Sequence, residues 1–122
     1  MALEEFYGAI GGDLDDVRSR LLTDERVEKF VRAFACDPTF AALEEAYAAG
    51  DAESAFRAAH TLKGIGRDLG FTALQASARD LADALRADGE GRFGSLQAAE
   101  ALHGRTRTDH EAVMAAMPVL DR

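Results

Sequence analysis

The 122-residue chain has no tryptophan, only two prolines and a single cysteine, Cys36. One cysteine excludes a disulfide within the chain and a paired-cysteine zinc motif, and it suits a reducing compartment. Cys36 itself reads as a small buried hydrophobe. The scarcity of proline leaves helices uninterrupted, and abundant alanine favours them. No stretch approaches the roughly 18 apolar residues of a membrane span. The first ten residues, MALEEFYGAI, lack the basic start and apolar run of a signal peptide, so a cytoplasmic, soluble protein is expected. Basic residues are outnumbered, 14 against 22 acidic ones, for a net charge of −8. That balance argues against binding a nucleic-acid backbone. The acidic residues are spread rather than blocked, as on solvated helix faces. Lysine is the scarcest charged residue: Lys29 and Lys63 stand beside 12 arginines. There is no HExxH and no phosphate-cradling glycine loop ending in Lys-Ser or Lys-Thr, so neither a zinc hydrolase nor an ATP site is expected.

What the chain does have is helical periodicity nearly throughout, with no alternating strand pattern. Leu3, Phe6, Tyr7 and Ile10 form one stripe, broken by Gly11 and Gly12. Asp13 can cap a short helix carrying Leu14, Val17 and Leu21. Thr23 caps the next, with Asp24 and Glu25 at its positive end and Val27, Phe30, Val31 and Phe34 on its buried side. Asp37-Pro38 starts a helix with proline as its first residue, and Gly50 ends it. Asp51 caps a helix to about Leu69, closed by Gly70. A further helix begins near Thr72, with Leu74, Ala78, Leu81 and Leu85 on one face. Asp88–Gly94 reads as a flexible loop, and Ser95 caps a last helix to about Met117. There are no repeats or linkers. The expectation is one all-α domain over residues 1–122: an antiparallel four-helix bundle with additional short N-terminal helices.

The helix from Asp51 to Leu69 is the informative one. On a wheel, Leu62, Ile65, Leu69, Ala55 and Ala58 gather on one side. His60 lies roughly 160–180° from Leu62 and Leu69, at the centre of the opposite face. Its surface neighbours are Glu53, Phe56, Arg57, Lys63, Gly64 and Arg67. A neutral imidazole is a competent nucleophile. Lys63, one turn on, is a point charge suited to a phosphoryl oxygen. Gly64 costs a helix about 1 kcal/mol relative to alanine, yet it clears the space above the histidine. Gly64 and Gly66, two residues apart, indicate a demand other than stability. His103 and His110 fall on the apolar stripe of the last helix. They lie about 10 Å apart along it, too far to share a metal ion, and read as partly buried structural residues.

The segment Ala59-His60-Thr61-Leu62-Lys63-Gly64-Ile65-Gly66-Arg67-Asp68-Leu69-Gly70 resembles the signature of histidine-containing phosphotransfer (HPt) domains. The likeness continues to Leu74, Leu81 and Arg86, covers Leu43–Ala59 upstream with Gly50-Asp51 at its turn, and is weakest after Gly89. The resemblance implies a helical phosphocarrier without its own ATP site, expected to be a monomer. His60 would accept a phosphoryl group from a receiver aspartyl phosphate or a kinase and pass it to another receiver. Lys63 would assist electrostatically and Gly64 would give clearance. Phe56, Arg57, Arg67 and Arg86 would face the partner. Partners would be receiver domains of response regulators or hybrid histidine kinases. The receiver would bring the acidic pocket and Mg²⁺, and this chain would need no cofactor. Arg67 departs from the family pattern, which is often small at that position. It is open to contacting the phosphate or the partner's acidic surface, to narrowing partner choice by bulk, or to being simply solvated. The alternative function is a helical adaptor that binds a signalling partner without phosphotransfer.

Overall fold

The computed structural model describes residues 2–122. These form seven helices: α1 Ala2–Ile10, α2 Leu14–Leu21, α3 Asp24–Phe34, α4 Thr39–Ala49, α5 Ala52–Asp68, α6 Thr72–Leu85 and α7 Glu100–Ala116. A 3₁₀ turn, Met117–Asp121, follows. There is no strand among the described residues, so the expected all-α class holds. No helix is long and apolar enough to cross a membrane.

Local chemistry sets most of the boundaries. Asp13, Thr23 and Asp51 each accept a hydrogen bond from the amide three residues on, at 3.0, 3.2 and 3.0 Å, which satisfies a donor that has no partner inside the helix. Hydrogen bonds from Ser54 hold the Asp51 carboxyl below its ordinary range. Gly50 ends α4 in the left-handed region at φ 67°. Two starts differ from expectation. Pro38 precedes α4 rather than opening it, and Asp37 accepts from the Thr39 amide at 2.8 Å. Ser95 accepts from the Ala98 amide at 3.1 Å, but this caps only a turn, and α7 begins five residues later at Glu100.

Helices α4, α5, α6 and α7 form a ring in which each touches the next. The register is read from side-chain pairs. Phe40 and Tyr47 of α4 stack on His110 and His103 of α7, with ring centroids 4.0 and 3.7 Å apart. Gly66 of α5 abuts Gln75 of α6, and Phe56 lies under Arg86 just past its end. In both pairs the partner number falls as the helix number rises, so α4 runs opposite to α7 and α5 opposite to α6. Leu43, Leu62, Leu74, Leu81 and Leu85 fill the ring and are fully buried.

The three N-terminal helices cover the end of the ring where α5 stops and α6 starts. Phe6, Tyr7 and Phe34 cluster around Phe71, with centroids 5.3–6.1 Å from its ring. The Tyr7 hydroxyl donates to the Leu69 carbonyl at 2.6 Å, and burial raises its pKa above the ordinary phenol range. The Asp13 amide donates to the Gly70 carbonyl at 2.9 Å. Arg20 donates to the carbonyls of Arg67 and Asp68 at 3.0 and 2.9 Å. Carbonyls left over at the C-terminus of α5 are thereby satisfied by α1, α2 and the turn between them.

Two apolar assignments are corrected. Phe30, expected on the buried side of α3, is 48% exposed, because Val27, Val31 and Phe34 already fill that face. Cys36, expected to be buried, is exposed in the turn after α3. The two α7 histidines are structural as expected. His103 is buried against Glu44, which also accepts from Arg107 at 2.9 Å. Burial alone would raise the Glu44 pKa, but these hydrogen bonds bring it below its ordinary value. His110 is half-buried against Phe40 and Phe34, and burial lowers its pKa despite opposing charge from Glu111, Glu44 and Asp37.

Two outcomes follow from this packing. Gly70 sits at φ 68°, and a Cβ there would lie 2.5 Å from Val17 Cγ2 and 2.6 Å from the Asp13 carbonyl. Gly70→Ala should therefore cost at least about 1–3 kcal/mol in urea unfolding, whereas Gly8→Ala in open space should cost nothing. Because His110 resists protonation when folded, the unfolded chain takes up that proton at higher pH. Stability should drop as pH falls from about 7.5 to about 5.5, and His110→Phe should flatten that segment of the pH–stability curve.

Candidate functional site

Helix α5 buries Ala55, Ala58, Ala59, Leu62 and Gly66 and turns its other face outward. Four of these five are alanine or glycine, which lets the backbones of α4 and α6 approach closely. His60 is exposed on the outward face. It is the only exposed histidine of the three in the chain. Its ring makes no hydrogen bond to the protein among the described residues, in contrast to His103.

The two helical glycines do different things. A Cβ at Gly64 would meet nothing within 4 Å, so this position is open space one turn beyond His60. A Cβ at Gly66 would lie 3.0 Å from the amide nitrogen of Gln75 and 3.1 Å from its Cα. Gly66 is therefore a packing glycine between α5 and α6, and only Gly64 is left unexplained by packing.

The cations around His60 also divide. Arg57 pairs with Glu53 at 2.8 Å, Arg67 with Asp68 at 3.4 Å and Arg86 with Asp83 at 3.2 Å. Lys63 is half-buried and has no ion pair among the described residues. Exposed pairs of this kind are worth about 0–1 kcal/mol, so an incoming anion can compete for the arginines. Lys63 needs no such exchange.

Phe56 is half-buried one turn before His60, its ring centroid 5.9 Å from the imidazole and inclined by 23°. The Arg86 guanidinium carbon lies 5.4 Å from the Phe56 centroid. Thus α5 itself presents Phe56, Arg57, His60, Lys63, Gly64 and Arg67, while Arg86 joins them from the end of α6 through Phe56.

The sequence reading did not single out Phe93, whose ring lies 5.7 Å from Phe56. Its signal was faint: one aromatic in an otherwise polar and glycine-rich segment. That segment is also less free than expected. The Asp88 carboxylate accepts from the amides of Glu90 and Arg92 at 2.8 and 3.0 Å, which holds its pKa down. The Gly94 amide donates to the Leu85 carbonyl at 3.0 Å, and a Cβ at Gly94 would collide with the Ala84 carbonyl. The loop is folded back onto α6. No cluster of three metal-ligating side chains occurs among the described residues.

The family model for the Hpt domain matches residues 24–116. The chain belongs to the Hpt domain family. Hpt domains are phosphocarrier modules of histidine phosphotransfer in phosphorelay signalling, where they interact with receiver domains. Comparison with curated proteins and with solved structures gives no match. The matched span runs through α3–α7 and leaves out α1 and α2. It also extends well past Gly89, where the sequence likeness is weakest, to the end of α7.

The two glycines of α5 give a clean contrast. Gly64→Ala should raise stability by about 0.4–1 kcal/mol, the gain of alanine in an unobstructed helix. Gly66→Ala should lower it by about 1 kcal/mol or more, because the added methyl meets helix backbone that cannot swing aside. Paired urea titrations measure both.

Proposed function

We propose that this chain, taken as one module over residues 1–122, is a phosphorelay intermediate that carries the phosphoryl group on His60. The observation that carries the reading is the combination at i, i+3 and i+4. An exposed imidazole stands beside an unpaired half-buried lysine and a glycine that leaves open space. Neither His103 nor His110 offers a comparable setting, since both are held within the fold by aromatic stacks.

In this reading the unprotonated ring nitrogen of His60 attacks the phosphorus of a receiver's aspartyl phosphate. A nitrogen–phosphorus bond forms as the bond from phosphorus to the carboxylate oxygen breaks, and the aspartate leaves with that electron pair. The other ring nitrogen then releases its proton to solvent. Onward transfer runs the same steps in reverse on a second receiver. Positioning and charge neutralisation dominate such chemistry. The receiver supplies the acidic pocket and Mg²⁺, and Lys63 supplies a cation from this side. Arg57, Arg67 and Arg86 complement the acidic rim of that pocket, although the chain as a whole is acidic. Arg67 has the role of a docking cation here. The partners are receiver domains of response regulators or hybrid histidine kinases, met in the cytoplasm by a monomer.

Incubation with receivers charged on aspartate tests this directly. The label should be acid-labile and base-stable, as expected of phosphate on nitrogen. His60→Gln should reduce labelling to background while leaving helicity unchanged. A His60→Gln protein that labels like the parent overturns the reading. A parent that binds receivers but never takes label points to an adaptor instead.

A further inference from the structure

The three histidines are oriented by different means. His103 has a carboxylate partner and a tyrosine stack, and His110 has two phenylalanine neighbours. His60 has one ring neighbour, Phe56, and no hydrogen bond among the described residues. A centroid separation of 5.9 Å with planes inclined by 23° is an offset stack. Such a contact limits ring rotation yet leaves both nitrogens free at the ring edge. A hydrogen bond would fix the ring at the expense of one nitrogen.

Phe56 is in turn held from outside its own helix. Arg86 lies over its ring, tethered to Asp83, and Phe93 leans against it at 46°. Phe93 is carried by the loop that Asp88 braces internally and Gly94 ties back onto α6. A continuous line of contacts therefore leads from the α6–α7 connection to the imidazole.

We propose that Phe56 is a positioning residue: clamped by Arg86 and Phe93, it holds the His60 imidazole in one orientation for attack on phosphorus. The inference rests on the reading of His60 as the phosphoacceptor, and it gives Phe56 an orienting role in place of a docking one. The lone pair of an imidazole nitrogen lies in the ring plane. Attack in line with the leaving carboxylate therefore requires that plane to point at the phosphorus. A ring held in that orientation reaches the reactive geometry more often than one that rotates freely.

The test uses the full chain, a receiver domain that charges the parent protein, and the variants Phe56→Leu, Phe56→Tyr and Phe93→Ala. Single-turnover transfer is followed over a range of receiver concentrations, and the His60 ring resonances are recorded by NMR. Phe56→Leu should slow transfer at saturating receiver about two- to tenfold, with the half-saturating concentration unchanged. It should also abolish the ring-current shift of the His60 protons. Phe56→Tyr should restore both, and Phe93→Ala should give a smaller loss of the same kind. Transfer at the parental rate in Phe56→Leu overturns the proposal. So does a loss confined to the half-saturating concentration, which would mark Phe56 as a docking contact. Failure of tyrosine to rescue overturns it as well. If no receiver charges the parent while the ring-current shift is present and lost in Phe56→Leu, the phosphoacceptor reading fails and the orienting contact stands.

Discussion

The backbone of α6 runs so close to α5 that a methyl group on Gly66 would lie 3.0 Å from the Gln75 amide nitrogen. That approach fixes the rotation of α5 about its axis. With Ala55, Ala58, Ala59 and Leu62 turned inward, the face centred on His60 has nowhere to go but outward. The tight seam also brings the end of α6 near enough for Arg86 to reach Phe56. Close packing at one glycine thus sets both the exposure of the histidine and the company it keeps, as expected of interiors packed without slack.

Electrostatics adds a second layer on that frame. The chain carries a net charge of −8, and most of its arginines are engaged by carboxylates. On the His60 face three arginines have such partners, and Lys63 does not. A lysine without a counter-ion at this face is a standing preference for an anion. Because the arginine pairs are weak in water, the face as a whole can become more positive toward a docking acid without any backbone movement.

Much of this was legible in the chain itself. Caps at Asp13, Thr23 and Asp51 and the stop at Gly50 rest on chemistry within four residues, so they could be read directly. The outward position of His60 follows from periodicity within one helix. What escaped the sequence depends on neighbours distant in the chain. Whether Gly64 or Gly66 was the packing glycine required knowing where α6 lies. Phe30 reads as core by spacing, but Val27, Val31 and Phe34 occupy the space that was available. Cys36 reads as buried by residue type, yet it falls in a turn where no layer covers it. Phe93 acquired meaning only when the loop that carries it folded back onto α6.

The carbonyls at the end of α5 connect these themes to the first helices. Leu69, Gly70, Arg67 and Asp68 have their oxygens met by Tyr7, Asp13 and Arg20, none of which falls in the span that matches the family. The border of the family likeness is therefore not a seam in the molecule. A segment cut at that border would strip the Asp68, Leu69 and Gly70 carbonyls at the foot of the histidine-bearing helix of these donors, while the Arg67 carbonyl would keep the Gly70 amide. The first two helices are thus bound to the matched span largely through its main-chain carbonyls, which a change of side chain does not remove. The exception on the receiving side is Gly70, where any side chain would strike Val17 and the Asp13 carbonyl.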